Sequence, residues 1–188
     1  MLKVLQTILV LLFAGVLNTG IVGELDDFVT PLRQFTVVAC WVLLYLGLNP
    51  TWRQRAIAEI QSVTSRFCDP FSAEPLYKNL ATIPPSAWEQ DLPSVDLIIR
   101  ETIRVSIAGT FLRRIVGKDV ELQGVTIQKG DFLAYNASDV HMNEDIYADS
   151  KKWDPARFEA GREEDKKAHF GFVGWGVGKF RICFAGLS

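Results

Sequence analysis

A chain of 188 residues with 48% hydrophobic residues is long enough to bury one ordinary core, so length and composition predict a single globular domain. The formal net charge is -2 and the 20 lysines and arginines are dispersed, so no nucleic-acid partner is expected. The three cysteines, Cys40, Cys68 and Cys183, form neither a CxxC pair nor an even disulfide set, which favours a reducing compartment or a cytosol-facing domain.

The first segment, Met1 to Gly23, contains one charged residue, Lys3, and is continuously apolar from Ile8 to Leu17. Two interpretations fit it: a signal or membrane segment, or a buried core helix. It reaches the roughly 20 residues of a spanning helix only by including Asn18, Thr19 and two glycines. No small-residue cleavage site follows, so we favour a core helix that has lost the elements before it, and membrane association through 1–23 stays open.

The next stretch, Val22 to Gln34, differs in composition from both apolar neighbours because it carries charges and a proline: Glu24, Asp26, Asp27, Pro31 and Arg33. It is interpreted as a loop or an insertion. Phe35 to Leu48 is then predicted to be a buried helix that ends at Asn49-Pro50, and Thr51 to Phe67 an amphipathic one.

A connector is predicted from Asp69 to Pro85, followed by a helix from Ala87 to Ile107. Three β-prone runs then predict a small antiparallel hairpin: Val120 to Leu122, Val125 to Ile127 and Phe132 to Tyr135. From Asp139 to Lys167 the chain is polar, and the charge run Arg162 to Lys167 is interpreted as a solvated loop. The fold class is therefore mainly α with a minor antiparallel β hairpin, α+β.

Glu101 and Arg104 are three residues apart on the predicted helix, so their side chains share one face and can pair. The apolar residues around them suggest a helix buried on several sides. Buried ions of this kind need further hydrogen bonds, so a third partner is expected. Arg157, in the segment Trp-Asp-Pro-Ala-Arg-Phe, is the candidate.

A glycine-rich segment, Gly174-Trp-Gly-Val-Gly-Lys-Phe-Arg-Ile-Cys183, ends the candidate site. A thiolate that binds haem iron needs a loop whose backbone N–H groups approach the sulfur, and glycines permit this approach. Arg181, two residues before the cysteine, can meet a haem propionate. The alternative is an ordinary turn followed by one more buried thiol.

In this order the four elements resemble the cytochromes P-450: the Glu-x-x-Arg helix, the hairpin, the Trp-Asp-Pro-Ala-Arg-Phe segment and the cysteine loop. Upstream, Phe13 to Gly20 is similar to the oxygen-groove stretch of that family's central helix, and Ala39-Cys40-Trp41 continues it. The resemblance covers nearly the whole chain and is strongest to fungal members.

The resemblance implies a role for each candidate residue. Cys183 would be the proximal thiolate and metal ligand, with Gly176 and Gly178 shaping its loop and Arg181 and Arg114 contacting the haem propionates. Glu101, Arg104 and Arg157 would be a structural triad. Ala14 and Gly15 would line the oxygen site, and Asn18 or Thr19 would deliver protons because Leu17 and Asn18 occupy the places of the family's usual acid and threonine.

The resemblance further implies an incomplete, C-terminal portion of the cytochrome P-450 fold. Its parts would be an interrupted central helix (1–49, with a suspected insertion at 22–37), the helices around Glu101 (50–107), a small β hairpin (108–138), and a meander with the cysteine loop (139–188). The expected cofactor is haem b, iron protoporphyrin IX, and the expected partners are an NADPH-dependent reductase and a small lipophilic substrate that receives one oxygen atom from O2. The expected location is the cytosolic face of the endoplasmic reticulum membrane.

Two alternatives remain open at this stage. An asparagine at position 18 also fits haem-thiolate peroxide isomerases. Gly23-Glu24-Leu25 and Gly178-Lys179-Phe180 can each be encoded with an intron donor sequence, and the spacing around Cys183 is one residue longer than the family's. The stretch 22–37 would then be a retained intron, Cys183 either the ligand or read-through, and the chain a non-catalytic truncated product.

Overall fold

The computed structural model describes residues 25–106, 110–174 and 176, with side chains from Thr36 onward. Its helices are α1 (Leu25–Leu48), α2 (Pro50–Phe67), α3 (Leu76–Leu80), α4 (Pro85–Gln90), α5 (Pro93–Ser106) and α6 (Ala137–His141), with 3-10 helices at Pro155–Phe158 and Glu164–Lys167. The strands are β1 (Thr110–Arg114), β2 (Val120–Leu122), β3 (Val125–Ile127) and β4 (Phe132–Asn136). The predicted fold class, mainly helical with minor antiparallel strands, is confirmed.

Helix α1 corrects the expectation of a loop over Val22 to Gln34, because the chain is helical from Leu25 onward. A change in composition does not by itself break a helix. A proline at position 31 removes one backbone donor, and the helix nevertheless continues through it. The suggested origin of 22–37 as an insertion stays a prediction.

The main core lies where α1, α2 and α5 meet. Its buried residues are Val42, Leu46, Ala56, Ile98 and Trp153. Pro50 begins α2 at a position where its missing N–H is not needed, and the inward face of that helix carries Ala56, Ile60 and Val63 at helical spacing. This arrangement places one face of α5 against apolar side chains and directs its other buried face toward the segment after β4.

A proline divides the single helix predicted from Ala87 to Ile107 into α4 and α5. Pro93 begins α5, and the residue before a proline is disfavoured in the α region. Glu59 on α2 accepts hydrogen bonds from the backbone N–H groups of Ser94 and Val95, at 2.9 Å for Ser94 and 3.2 Å for Val95. A carboxylate at this end stabilises α5 through its free donors and its dipole.

The strands form two separate antiparallel pairs. The expected β2–β3 hairpin is present, with Gln123 and Gly124 at positive φ in its two-residue turn. Phe132–Asn136, however, pairs with β1. The sequence pattern missed strand β1, because its partner is not adjacent along the chain.

The segment after α6 is irregular and packs on a smaller apolar cluster of Ile146, Tyr147 and Phe158. Within the described ranges, none of the helices combines the length and apolar character needed to cross a membrane. The apolar start of the chain, Met1 to Gly23, lies outside these ranges.

Candidate functional site

Glu101 and Arg104 form a fully buried bidentate pair on α5. Nε of Arg104 donates to Oε2 of Glu101 at 2.7 Å, and Nη2 donates to Oε1 at 2.8 Å. Both side chains are 0% exposed. The spacing of three residues places them on one face of the helix, and the parallel N–H···O bonds give this pair a defined orientation as well as charge pairing.

Arg157 reaches the same carboxylate from the first 3-10 helix. Its Nε donates to Oε1 of Glu101 at 3.0 Å, and the backbone N–H of Asp154 donates to the same oxygen at 2.9 Å. The side chain of Asp154 accepts from the N–H of Ala156, and Pro155 occupies the first turn. This local cap sets the short helix that presents Arg157 to α5.

A second carboxylate, Glu164, pairs with the other end of Arg157. Nη1 of Arg157 donates to Oε2 of Glu164 at 2.6 Å, while Arg162 donates to Oε1 at 2.6 Å. The interpretation of Arg162 to Lys167 as a solvated loop is therefore wrong for Glu164, which is buried. Burial alone would raise the pKa of Glu164, but the hydrogen bonds from Arg162 and Arg157 hold it below its usual value.

The remaining guanidinium donors bind backbone carbonyls. Arg104 donates to the carbonyls of His141 at 2.5 Å and Lys152 at 3.3 Å. Arg157 donates to those of Ala148 and Lys152, each at 3.0 Å. Two buried carboxylates balance two buried arginines, so the network avoids the penalty of an unpaired buried charge and ties α5, α6 and the segment 148–164 together.

Tyr147 closes one side of this network. The Arg104 guanidinium lies 4.8 Å from the centre of its ring, and its hydroxyl donates to the carbonyl of Gly171 at 2.8 Å. Burial raises the pKa of Tyr147, so the phenol is neutral at physiological pH and remains a hydrogen-bond donor.

His141 lies at the end of α6 and is completely buried. Its Nε2 accepts a hydrogen bond from the backbone N–H of Val173 at 3.1 Å, and its ring stacks on Phe172 with a centroid distance of 5.3 Å. Burial first, and the charge of Arg104 second, lower the pKa of His141 to about 4. The imidazole is therefore neutral near pH 7, as its acceptor role requires.

The glycine-rich segment begins in close contact with α5. A Cβ on Gly174 would lie 2.3 Å from Cγ2 of Ile103 and 2.5 Å from the ring of Phe172, so a side chain cannot be accommodated without displacement. Gly176 has a φ of 78°, in the left-handed region that favours glycine. Glycine is thus needed at position 174 for steric reasons and favoured at position 176 for conformational ones. A simple flexible linker would have neither requirement.

Val173 and Gly176 also line a small cleft of about 120 Å³ with Phe111, Arg113, Leu133 and Tyr135 on β1 and β4. Arg114 is not in this lining, because successive strand side chains alternate between faces. It is exposed instead: Nε donates to the carbonyl of Gly130 at 3.3 Å, and the guanidinium lies 5.7 Å from the ring centre of Phe132. Its terminal nitrogens bond to no described residue and are available to an anion.

The structure brings together Glu101, Arg104 and Arg157, and it places Gly176 separately, in the cleft against β1 and β4. The other candidates, Ala14, Gly15, Asn18, Thr19, Gly178, Arg181 and Cys183, lie outside the described residues. Within the described ranges, no cluster of three or more His, Cys, Asp or Glu side chains could hold a metal ion.

Sequence reasoning missed Glu164 and His141 as partners of this site. Glu164 lies within a run of charges, and nothing in the local pattern separates it from its half-buried neighbour Glu163. His141 has no ligand-like spacing to another histidine or cysteine. For Glu164, charge balance gives the one signal. Two buried arginines and one buried glutamate leave a net positive charge, which requires another carboxylate.

The family model described as Cytochrome P450 matches residues 35–184. The cytochrome P450 monooxygenase AacuE of Aspergillus aculeatus is 39% identical over 141 residues, covering 73% of this chain and 28% of the relative. The monooxygenase nsrP of Aspergillus novofumigatus is 33% identical over 160 residues, covering 81% of this chain and 30% of the relative.

Among solved structures, the retinoic acid-bound cyanobacterial CYP120A1 matches with a TM-score of 0.53 at 24% identity, over 75% of this chain and 29% of that one. This likeness is one of fold. The chain thus spans less than a third of the length of these relatives. The family match, the fungal relatives and the shared fold together show that the chain belongs to the cytochrome P450 family.

Proposed function

We propose that this chain forms the proximal half of a haem-thiolate site in a monooxygenase that acts on a small lipophilic substrate. The observation that carries the proposal is the closed network of Glu101, Arg104 and Arg157, built on helix α5, whose Ile103 meets the start of the cysteine loop at Gly174. Buried charges in such a network are costly unless they are fully paired, and here they join α5 to the segments that precede the loop.

The described start of the loop supports a haem held by a thiolate. A Cβ at Gly174 would meet the side chains of Ile103 and Phe172, and Gly176 has positive φ, so glycine is needed at both positions, as in a tight loop that leads to a thiolate ligand. Cys183 would ligate the iron of haem b. Arg181 and Arg114 would bind the propionates, and Arg114 lies exposed on β1 with terminal nitrogens that bond to no described residue.

Bound haem would supply the binding and activation of O2, with electrons from an NADPH-dependent reductase, so that one oxygen atom enters the substrate. The chain's own residues would position the cysteine loop and supply protons at the oxygen site. Glu101, Arg104 and Arg157 would hold the cysteine loop without touching substrate. Ala14 and Gly15 would shape the oxygen site, and Asn18 or Thr19 would hold a proton-donating hydrogen bond there. The proposed location is the cytosolic face of the endoplasmic reticulum.

A reduced, carbon monoxide difference spectrum of the haem-reconstituted chain tests the thiolate assignment. We expect the red-shifted Soret band of thiolate-ligated haem in the wild type and its loss in Cys183→Ser. Cys40→Ser is the matched control, since Cys40 is an exposed thiol on α1 and should leave the band unchanged.

A band that persists in Cys183→Ser, or that is absent from the wild type, would contradict the assignment. An absent band would favour the second candidate, a non-catalytic truncated product, because the spacing around Cys183 departs from that of the family. Sequencing the transcript across the codons for residues 22–37 and 178–180 would then decide whether introns were retained. A thiolate band together with turnover of a lipid peroxide and none with a reductase would instead support the isomerase.

A further inference from the structure

The two ring nitrogens of His141 differ in their hydrogen bonding, and packing of the ring alone does not explain the difference. Nε2 accepts from the Val173 N–H, but Nδ1 is buried and has no hydrogen-bond partner among the described residues. A buried polar atom without a partner is destabilising. A phenylalanine would stack on Phe172 equally well without this penalty, so the imidazole supplies something that a hydrocarbon ring lacks, namely the acceptor at Nε2.

That acceptor holds a particular point of the chain. Val173 immediately precedes Gly174, where the glycine-rich segment packs against α5. Of the backbone N–H groups of Phe172, Val173 and Gly174, only that of Val173 bonds to a distant part of the described chain. The loop start is therefore held by this hydrogen bond together with the bond from Tyr147 to the Gly171 carbonyl, the ring contact of His141 with Phe172 and the close contact at Gly174.

The other end of His141 is anchored to the charge network, because its backbone carbonyl accepts from Nη1 of Arg104 at 2.5 Å. One residue thus links the Glu101–Arg104 pair on α5 to the entry of the cysteine loop. The neighbouring Arg104 charge also disfavours a second positive charge, which keeps the imidazole neutral and Nε2 an acceptor.

We propose that His141 is a positioning residue of the haem-thiolate site: its Nε2 fixes the Val173 N–H and thereby the point from which the chain enters the cysteine loop. This inference rests on the proposed function for its consequence at haem, but its geometric part concerns the protein chain alone. In this proposal His141 positions the entry to the cysteine loop, whereas Glu101, Arg104 and Arg157 form the buried charge network.

Two variants separate the acceptor from the ring. His141→Phe keeps an aromatic ring against Phe172 and removes the acceptor, whereas His141→Gln loses the ring and retains an acceptor oxygen at about the reach of Nε2. Hydrogen exchange of the Val173 amide is measured in the haem-free full-length chain, with the amides of Ile98 and Thr102 in the core of α5 as the internal reference.

We expect the Val173 amide to exchange roughly ten-fold faster in His141→Phe than in the wild type, relative to the α5 reference, and to recover most of its protection in His141→Gln. Equal exchange in His141→Phe and wild type would overturn the proposal. So would exchange in His141→Gln as fast as in His141→Phe, since the ring and not the acceptor would then be responsible. If His141→Phe does not fold, His141→Leu serves as the variant without an acceptor.

The difference spectrum of the same reconstituted variants measures the consequence at haem. We expect a smaller fraction of thiolate-ligated haem in His141→Phe than in the wild type and a largely restored fraction in His141→Gln; equal fractions in all three would overturn the role at haem. A wild type without a thiolate band would refute the proposed function instead, and the exchange contrast would still decide whether His141 positions Val173.

Discussion

The role of Glu164 depends on the residues that it contacts in space. It lies next to Glu163, and the two have the same chemistry, yet Glu164 is buried against Arg157 and Arg162 while Glu163 pairs on the surface with Lys166. An exposed pair of this kind contributes little to stability, whereas removing one partner of a buried pair leaves an uncompensated charge.

We therefore expect Glu164→Gln to lower the free energy of unfolding by about 2 to 4 kcal/mol, because Arg157 would retain a buried charge with a weaker partner. Glu163→Gln is the matched control and should change the free energy of unfolding by less than about 0.5 kcal/mol. Urea denaturation followed by circular dichroism measures both. Equal effects of the two variants would mean that Glu164 does not balance Arg157.

His141 also predicts how stability depends on pH. Its pKa is about 4 in the folded chain and near 6.5 when unfolded. Between these values the unfolded chain binds more protons, so the folded state loses stability as pH falls from about 6.5 to about 4, by roughly 1.4 kcal/mol per pH unit within that window, and the loss levels off below it.

Urea titrations of wild type and His141→Gln at several pH values isolate this contribution, because glutamine does not titrate. We expect the free energy of unfolding of the wild type to fall more steeply than that of the variant between pH 6.5 and 4.5. Parallel curves would show that the imidazole is accessible to protons in the folded chain.

At the scale of elements, α5 is held on one side by a stack of aromatic rings. Trp153 lies nearly parallel to Tyr45 of α1 at a centroid distance of 5.1 Å, and its Nε1 donates to Oγ1 of Thr102 at 3.1 Å. The indole therefore joins α1, α5 and the segment that carries Arg157. The hydrogen bond to Thr102 sets which edge of the ring faces α5.

Thr102→Val tests this contact. The hydroxyl of Thr102 donates to the carbonyl four residues earlier, as that of Thr64 does in α2, but only Thr102 also accepts from an indole. We expect Thr102→Val to be destabilising by about 1 to 3 kcal/mol more than Thr64→Val, because the buried Trp153 N–H loses its acceptor. Thermal or urea unfolding of both variants measures the difference. Equal losses of stability would show that the hydrogen bond from the Trp153 indole does not contribute to stability.

At the scale of the whole molecule, the described part exposes large apolar side chains on two surfaces. One is the outer face of α1, with Val37, Trp41, Leu44 and Leu48; the other is the face of the β1–β4 sheet that carries Leu112 and Phe132. Contiguous apolar surfaces of this kind are typical of association sites or of aggregation.

Replacing Leu44 and Leu48 by glutamate should therefore raise the monomeric fraction in size-exclusion chromatography without loss of helical content. These side chains are 58% and 78% exposed, whereas Leu46 between them is 3% exposed. Leu46→Glu is the contrasting variant and should unfold the chain, since it would bury an unpaired charge. No gain in monomer for the double variant would show that α1 does not drive association.

The sequence alone determined the family, the helical class and three residues of the charge network, Glu101, Arg104 and Arg157. Periodicity locates α2 and most of α5, and the spacing of Glu101 and Arg104 predicts their pairing, because these features depend on residues close together along the chain. The order of motifs then identified the family, which needs no coordinates.

Only the tertiary structure decided the continuity of α1, the pairing of β1 with β4, and the roles of Glu164 and His141. For the sheet and for His141 the deciding interaction joins distant residues: β1 pairs with β4 across the β2–β3 hairpin, and His141 bonds a backbone N–H 32 residues later. Local patterns record the preference of each residue, but burial and charge balance depend on which segments meet, and the fold alone determines that.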